Sequence, residues 1–283
     1  MSGPITQGIA GKVREIVASW TATPSMSELE GLLRWLAKWR SQVLANTYIA
    51  RHGTTVWSGL FAGMDYVAGA TEGSLLARLL GIYEYGLQSH LTALAEDGLD
   101  CVVDVGCAEG YYAVGLARSF PGLRVYAHDI EEKARLACAE LAQRNGVADR
   151  VIIGGEFKPT DFQAFEDRRV LVMVDAEGAE LEILQPTLSP ALARMNIIVE
   201  THDVWRPGAL AEMVRRFEPT HDIVRIDSEL SPAKLPDWLT ELSELDQMIA
   251  RWEWRHRPTP WLVMKPKPSS HPTASHLKSG PLT

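Results

Sequence analysis

The sequence predicts an α/β protein, a mostly parallel sheet covered on both faces by helices and preceded by a helical N-terminal cap. Three observations carry this. From Leu99 onward, short β-branched runs alternate with helix-like stretches, the pattern of parallel strands joined by crossover helices. Continuous apolar runs such as Val170–Val174 fit strands buried on both faces better than an edge position. Before Leu99, apolar residues recur at helical spacing instead.

In chain order, Ile9, Val13, Ile16, Val17 and Trp20 form one helical stripe, with Pro24 as a stop signal. Ser27 and Glu30 have capping-box spacing ahead of Leu32, Leu33, Leu36 and Val43, a second amphipathic helix. Between Arg51 and Gly73 the pattern loosens, and a third helix runs from about Ser74 to Leu94, interrupted at Gly81 and Gly86. Five strands follow: CVVDV, LRVYAHD, RVIIGG, VLVMVD and NIIVE. Helical stretches are expected near Tyr111–Ser119, Glu131–Gln143, Thr160–Glu166 and Gly178–Leu184. Asp222–Ile226 makes a sixth strand and PWLVMK a seventh, antiparallel to it. The acidic stretch within about 228–258 reads as a helical insertion before the last strand. The organisation is thus a cap over 1–95, a sheet domain over 96–267, and a Pro-, Ser- and His-rich tail over 268–283, expected to be disordered.

A length of 283 residues suits one large domain with extensions, and 46% hydrophobic with 23% charged residues excludes a disordered or fibrous chain. Lys+Arg total 28 against Asp+Glu 36, a net charge of -8 that disfavours nucleic acid and leaves small molecules or proteins as partners. A homodimer is compatible with this reading. Cys101, Cys107 and Cys138 show no C-x-x-C spacing, which suits a reduced, cytoplasmic protein without a structural zinc site. No secretory signal is visible, and no apolar stretch reaches the ~20 residues of a spanning helix, so no membrane partner is expected.

The strongest chemical signal is CVVDVGCAEGYYAVGLA: a strand ending in Asp104, a small-residue turn through Gly106, Ala108 and Gly110, then a helix. Such a turn borders the ligand crevice of a doubly wound sheet and offers main-chain amides at a helix start. A dinucleotide fingerprint needs G-x-G-x-x-G, whereas Ala108 and Tyr111 occupy the second and third glycine positions here. A carboxylate at Asp104 meets a pyrophosphate badly and suits a cationic amino group. Asp129 ends the next strand, 25 residues after Asp104, where an acid binds ribose hydroxyls. Glu156, after the third strand, is placed to reach an adenine edge or is simply solvated.

The turn resembles motif I of class I S-adenosylmethionine-dependent methyltransferases. VLVMVDAEGAELEIL and NIIVETHD resemble the FkbM-type family, in which an Asp-x-Glu-Gly-x-Glu box ends strand four. LLGIYEYGLQSHL and RHRPTPWLVMKP extend the likeness over about Gly59–Pro266, and Ala108 departs from it at the middle glycine. The resemblance implies a Rossmann-like, seven-stranded sheet, S-adenosylmethionine as cofactor, and O-methylation of a small-molecule or sugar-like hydroxyl. The cofactor residues it implies are Asp104, Gly106, Cys107, Ala108, Gly110, Tyr111, Asp129, Ile130, Glu156 and Asp175. An NAD-dependent oxidoreductase and a non-catalytic cofactor-binding or scaffold protein are the alternatives.

Of the acids after strand four, Glu180 reads as a helix-capping group, while Asp175 falls at the sheet edge beside the crevice. In ETHD, extended geometry turns Glu200 and His202 to one face, and His202 is the candidate general base with Asp175 and Glu200 in support. A rival arrangement holds a divalent cation such as Mg²⁺ between Asp175, Glu200 and Asp203. Trp57, Phe61, Met64, Tyr66, Tyr83 and Glu84 are expected to form a lid, with Trp57, Tyr66 and Glu84 toward the substrate. Arg51 and His52 are further candidates there.

Overall fold

The computed structural model describes residues 3–67 and 73–268. The tail expectation, apart from Pro268, therefore lies outside the described residues.

Two helices open the chain, α1 (Pro4–Ser19) and α2 (Met26–His52). The cap of α2 is Ser25 with Glu28, not Ser27 with Glu30. Ser25 Oγ accepts from the Glu28 N–H and the Glu28 carboxylate accepts from the Ser25 N–H. Pro24 disfavours helical backbone at Thr23 before it, and the first turn starts immediately after Ser25. The expected third helix is two, α3 (Leu75–Leu80) and α4 (Tyr85–Glu96). The break falls at Gly81, whose φ of 73° is left-handed and where a Cβ would lie 1.8 Å from the Ser58 carbonyl oxygen. Gly86 does not break the chain; it lies inside α4.

The sheet domain then runs β1 (Cys101–Val105), α5 (Tyr111–Ser119), β2 (Arg124–His128), α6 (Glu132–Arg144), β3 (Val151–Gly154) and β4 (Val170–Val174). It continues with α7 (Glu180–Ile183), β5 (Asn196–Glu200), α8 (Ala209–Phe217), β6 (His221–Ile226), α9 (Asp237–Thr240), α10 (Glu244–Arg251) and β7 (Trp261–Pro266). Two expected helices differ from the reading: Pro159–Phe165 is a 3-10 segment rather than an α-helix, and α7 is only one turn.

The seven strands form one sheet in the order β3-β2-β1-β4-β5-β7-β6. Its first five strands are parallel, and β7 is antiparallel to both β5 and β6. Chain order reverses between β1 and β4, which opens a crevice beyond their carboxyl ends. The core has two halves, one on each side of the sheet. Val102, Leu171 and Ile198 face one half, with Leu91 and Val114 from the helices; Val103, Val172 and Val199 face the other, with Phe162 and Phe217. Strands buried on both faces explain the unbroken apolar runs.

The insertion (α9, α10) packs onto the cap rather than standing apart. Arg40 of α2 makes a two-pronged ion pair with Asp246 of α10, at 2.6 and 2.8 Å. Segments some 200 residues apart thus make one layer over the carboxyl edge of the sheet. No helix among the described residues is long and apolar enough to cross a membrane.

Candidate active site

That layer and the strand ends enclose a cleft of about 860 Å³, within the ~300–1,000 Å³ range of small-molecule sites. Its floor is made by the loops after β1 to β5, and its roof by α2, Gly73, Arg78, Tyr83 and the segment after α10. Four described non-glycine residues have positive φ, and three of them, Ala108, Glu177 and Trp254, line this cleft. Backbone strain concentrated in this way marks a functional surface.

The β1 turn is built around a missing side chain. At Gly106, φ is 88° and a Cβ would lie 1.7 Å from the Asp175 carbonyl oxygen, so the loops after β1 and β4 touch through backbone alone. The N–H groups of Gly106 and Cys107 donate to the His128 carbonyl. Asp129 accepts from the Ala108 N–H at 3.0 Å and the Glu131 N–H at 2.8 Å, one on each oxygen, which fixes its carboxylate at the cleft wall. Asp104 is 4% exposed and stands behind the cleft-lining Val105 and Gly106, with its Oδ2 enclosed and without a hydrogen-bond partner. Burial, and then the nearby charge of Asp129, push its carboxyl up to about 7.

Ile130 and Glu156 line the cleft, whereas Cys107, Gly110 and Tyr111 stand behind the turn. The Cys107 thiol is pushed up by its hydrogen bond with Cys138 and by burial, and a Cβ at Gly110 would meet the Cys138 sulfur at 2.7 Å. Tyr111 packs edge-on against Phe61, Tyr66 and Tyr83. These three residues shape the turn by packing.

The residues expected to meet the substrate lie elsewhere. Trp57 is half exposed and packs edge-on against His52, away from the cleft. Tyr66 is fully buried and donates to Glu109. Glu84 sits behind the cleft, where it accepts from Tyr112, Trp261 and Arg255; burial and then the charge of Glu200 push it up to about 7. Arg51 and His52 both reach Trp238 of the insertion. The cap turns its aromatics inward because they are its own core. Of that group only Tyr83 reaches the cleft, joined by Lys38 and Arg78, which sequence reasoning missed.

The ends of β4 and β5 bring together a buried acid–imidazole cluster. His202 is 3% exposed, and its Nδ1 lies 2.7 Å from Oε1 of Glu180, itself fully buried. Since a carboxylate accepts, Nδ1 carries the hydrogen and Nε2 faces the cleft side. Nε2 is 3.5 Å from Glu177, 3.7 Å from Asp175 and 3.7 Å from Glu200. Burial pulls His202 down, but the bond to Glu180 and the charge of Glu200 outweigh it, so its net shift is upward. Burial pushes Glu180 up, but His202 and the Gly178 N–H outweigh it, so Glu180 lies below its ordinary range. Asp175 has one enclosed oxygen without a partner, while the rest of its side chain is about one-third exposed. Burial, then the charges of Glu200, Glu84 and Glu177, hold it well above the carboxylate range.

Glu200 and His202 therefore share a face, while Thr201 turns away to donate to the Pro260 carbonyl. Asp203 leaves the cluster: its two oxygens accept from the N–H groups of Gly208 and Leu210 at the start of α8. The third corner beside Asp175 and Glu200 is His202 instead, with one ligand-type atom of each residue within 4.8 Å of the others. Glu180, read from sequence as a capping acid, is His202's partner; nothing in the local pattern announces a contact made across two strand ends.

Replacing Glu180 with glutamine moves the His202 titration to lower pH, read by NMR of the imidazole. The pair stabilises the fold above the ordinary Glu value of 4.5 and below the ordinary His value of 6.5. The stability difference between the variant and the parent is thus largest in that window and shrinks on both sides, as denaturant titrations across pH would register. An unchanged His202 midpoint would remove Glu180 from this role.

No protein-family model and no curated protein matches the chain. Among solved structures, it is similar to an O-methyltransferase from Bacillus cereus in complex with SAH (13% identity, 87% of this chain, 94% of that chain, TM-score 0.42). It is also similar to the O-methyltransferase TomG from Streptomyces achromogenes, in complex with SAM (14% identity, 90% and 96%, TM-score 0.41). A third is precorrin 8w decarboxylase from Methanobacterium thermoautotrophicum (23% identity, 63% and 88%, TM-score 0.40). Likenesses at this level carry no functional weight.

Proposed function

We propose that the chain is an S-adenosylmethionine-dependent methyltransferase that methylates a hydroxyl of a small molecule. The observation that carries this is Asp104, a buried carboxyl with an unpartnered oxygen next to a turn that only glycine can make at position 106. A carboxylate in that position lacks a cation, and the amino group of the cofactor's methionine end would supply one. Asp129, pinned by two main-chain donors, keeps lone pairs for ribose hydroxyls. Ile130, three-quarters exposed on the cleft wall, offers an apolar surface to the base, with Glu156 at its edge. When bound, the cofactor supplies a methyl group on a sulfonium centre, an electrophile for direct displacement.

His202 is the base. With Nδ1–H held by Glu180, Nε2 takes the proton that an acceptor hydroxyl loses during attack. Glu200, 3.7 Å from Nε2, stabilises the imidazolium that results, while Asp175, at the same distance but held well above the carboxylate range, adds little charge. Cys101, Cys107 and Cys138 are buried free thiols, which supports a reducing, cytoplasmic setting.

A second reading uses the same corner for a divalent cation held by Asp175, Glu200 and His202. It is favoured by the His202–Glu180 bond, because metal-bound imidazoles usually donate their other N–H to a carboxylate. One nitrogen and two oxygen donors suit Mn²⁺, Fe²⁺ or Zn²⁺ as well as Mg²⁺. The readings exclude one another, since a liganded Nε2 takes no proton.

Calorimetry on the full chain tests both. Micromolar S-adenosylmethionine binding, unchanged by chelator, with no NADH binding is the expected result. NADH binding without S-adenosylmethionine binding overturns the proposal. Methylation abolished by chelator and restored by Mn²⁺ or Mg²⁺ transfers the role of His202 to the metal reading.

A further inference from the structure

The cleft is polarised. Its floor sets Asp129, Glu131, Glu156, Asp175, Glu177, Glu182 and Glu200 against Lys133 and Lys158, an acidic excess that suits a cationic cofactor. Its roof carries Lys38, Arg78, Arg255, His256 and Arg257 against the single acid Glu253. In a chain of net charge -8, a basic wall facing an acidic one calls for a local cause.

Two of the roof arginines are already neutralised. Arg78 pairs with Glu109, and Arg255 with Glu84, Glu200 and Glu253. Among the described residues, Lys38, His256 and Arg257 pair with no carboxylate, although the floor acids belong to the same cleft. Their separation from the floor leaves room between the charges for a ligand.

Trp254 lies two and three residues before His256 and Arg257 and lines the same cleft as all three groups. Its φ is 69°, a conformation that a bulky residue rarely adopts, so the surrounding contacts hold it in place. Lys38 Nζ lies 5.0 Å from the centre of its ring. Its indole N–H is enclosed and has no acceptor among the described residues. A strained indole with an enclosed donor, sharing a cleft wall with three basic side chains that pair with no carboxylate among the described residues, is suited to a planar ligand carrying an anionic group.

We propose that the roof is the acceptor subsite and that it selects a planar acceptor bearing a carboxylate or a phosphate. Lys38, His256 and Arg257 hold the anionic group and Trp254 packs on the planar body. Calling it the acceptor subsite rests on the methyltransferase reading; anion binding by the roof does not.

The test uses the full chain, with and without S-adenosylhomocysteine, titrated calorimetrically with benzoate, phenyl phosphate and benzamide. Benzoate or phenyl phosphate is expected to bind at least about tenfold more tightly than benzamide, the worth of one charge-assisted contact. The tighter of the two acids identifies carboxylate or phosphate as the source. Lys38→Gln combined with Arg257→Gln removes the preference and leaves S-adenosylhomocysteine affinity unchanged; both side chains reach the solvent-filled cleft, and a retained melting temperature confirms the fold. Equal binding of benzoate and benzamide, or a preference that survives the double variant, overturns the proposal. If the acids bind selectively but S-adenosylhomocysteine does not bind, the subsite stands and the methyltransferase reading falls.

Discussion

Alanine at position 202 lowers methyl transfer by about a hundred- to ten-thousandfold, the usual worth of a positioned general base, and leaves S-adenosylhomocysteine affinity unchanged. The proposed cofactor side of the cleft is built by the turns after β1 and β2, whereas His202 belongs to the end of β5. The parent enzyme's rate rises with pH through the raised His202 value, as Nε2 becomes free to accept a proton. The alanine variant loses that limb of the profile. It also leaves Glu180 buried without its partner, so a fall in stability is expected. His202→Asn separates the two effects, because its amide can still donate to Glu180 but cannot serve as a base. A variant with full activity at neutral pH would exclude His202 from proton transfer.

Replacing Asp104 with asparagine acts in opposite directions on folding and on binding. In the cofactor-free protein, the charged carboxylate is buried with an unpartnered oxygen and repelled by Asp129. Replacing a charge by a neutral amide there is therefore expected to stabilise the chain from neutral pH upward, by about 1–3 kcal/mol, the order of a buried group's desolvation penalty. The sign follows from the raised carboxyl of about 7 against an ordinary 3.8. Such a group favours the folded state below 3.8 and loses that contribution as pH rises through about 7. The gain on substitution should accordingly vanish in acid, as melting curves at several pH values would reveal. Cofactor affinity falls instead, by about thirtyfold or more, because a charge-pair partner for the amino group worth ~2–5 kcal/mol is gone. An asparagine variant that binds S-adenosylmethionine as tightly as the parent would remove Asp104 from the site.

The sheet was legible because its signals are local. The central strands β1, β4 and β5 are near-continuous apolar runs, and the crossover helices α5 and α6 have their own periodicity, so neither depends on knowing the partner strand. The β1 turn was legible for the same reason: Gly106 and Asp104 lie two residues apart, and sterics demand the glycine. Helix boundaries were less so. The spacing of Ser27 and Glu30 satisfies the same rule as that of Ser25 and Glu28, and only the geometry after Pro24 selects between them.

What the sequence determined by itself, then, is the order of elements, the seven-stranded sheet and the strand ends that face the crevice. Tertiary structure alone decided the company each side chain keeps. It turned Tyr66 into the cap and away from the cleft, committed Asp203 to α8, and set Glu180 against His202 across 22 residues of chain. It also laid α10 on α2, so that Lys38 meets Trp254 over the floor. The physical reason is that backbone pattern follows from the chemistry of neighbouring residues, whereas charge pairing and burial depend on distance in space. A carboxylate three residues from the next looks the same in sequence whether it caps a helix, orients an imidazole or waits for a cation.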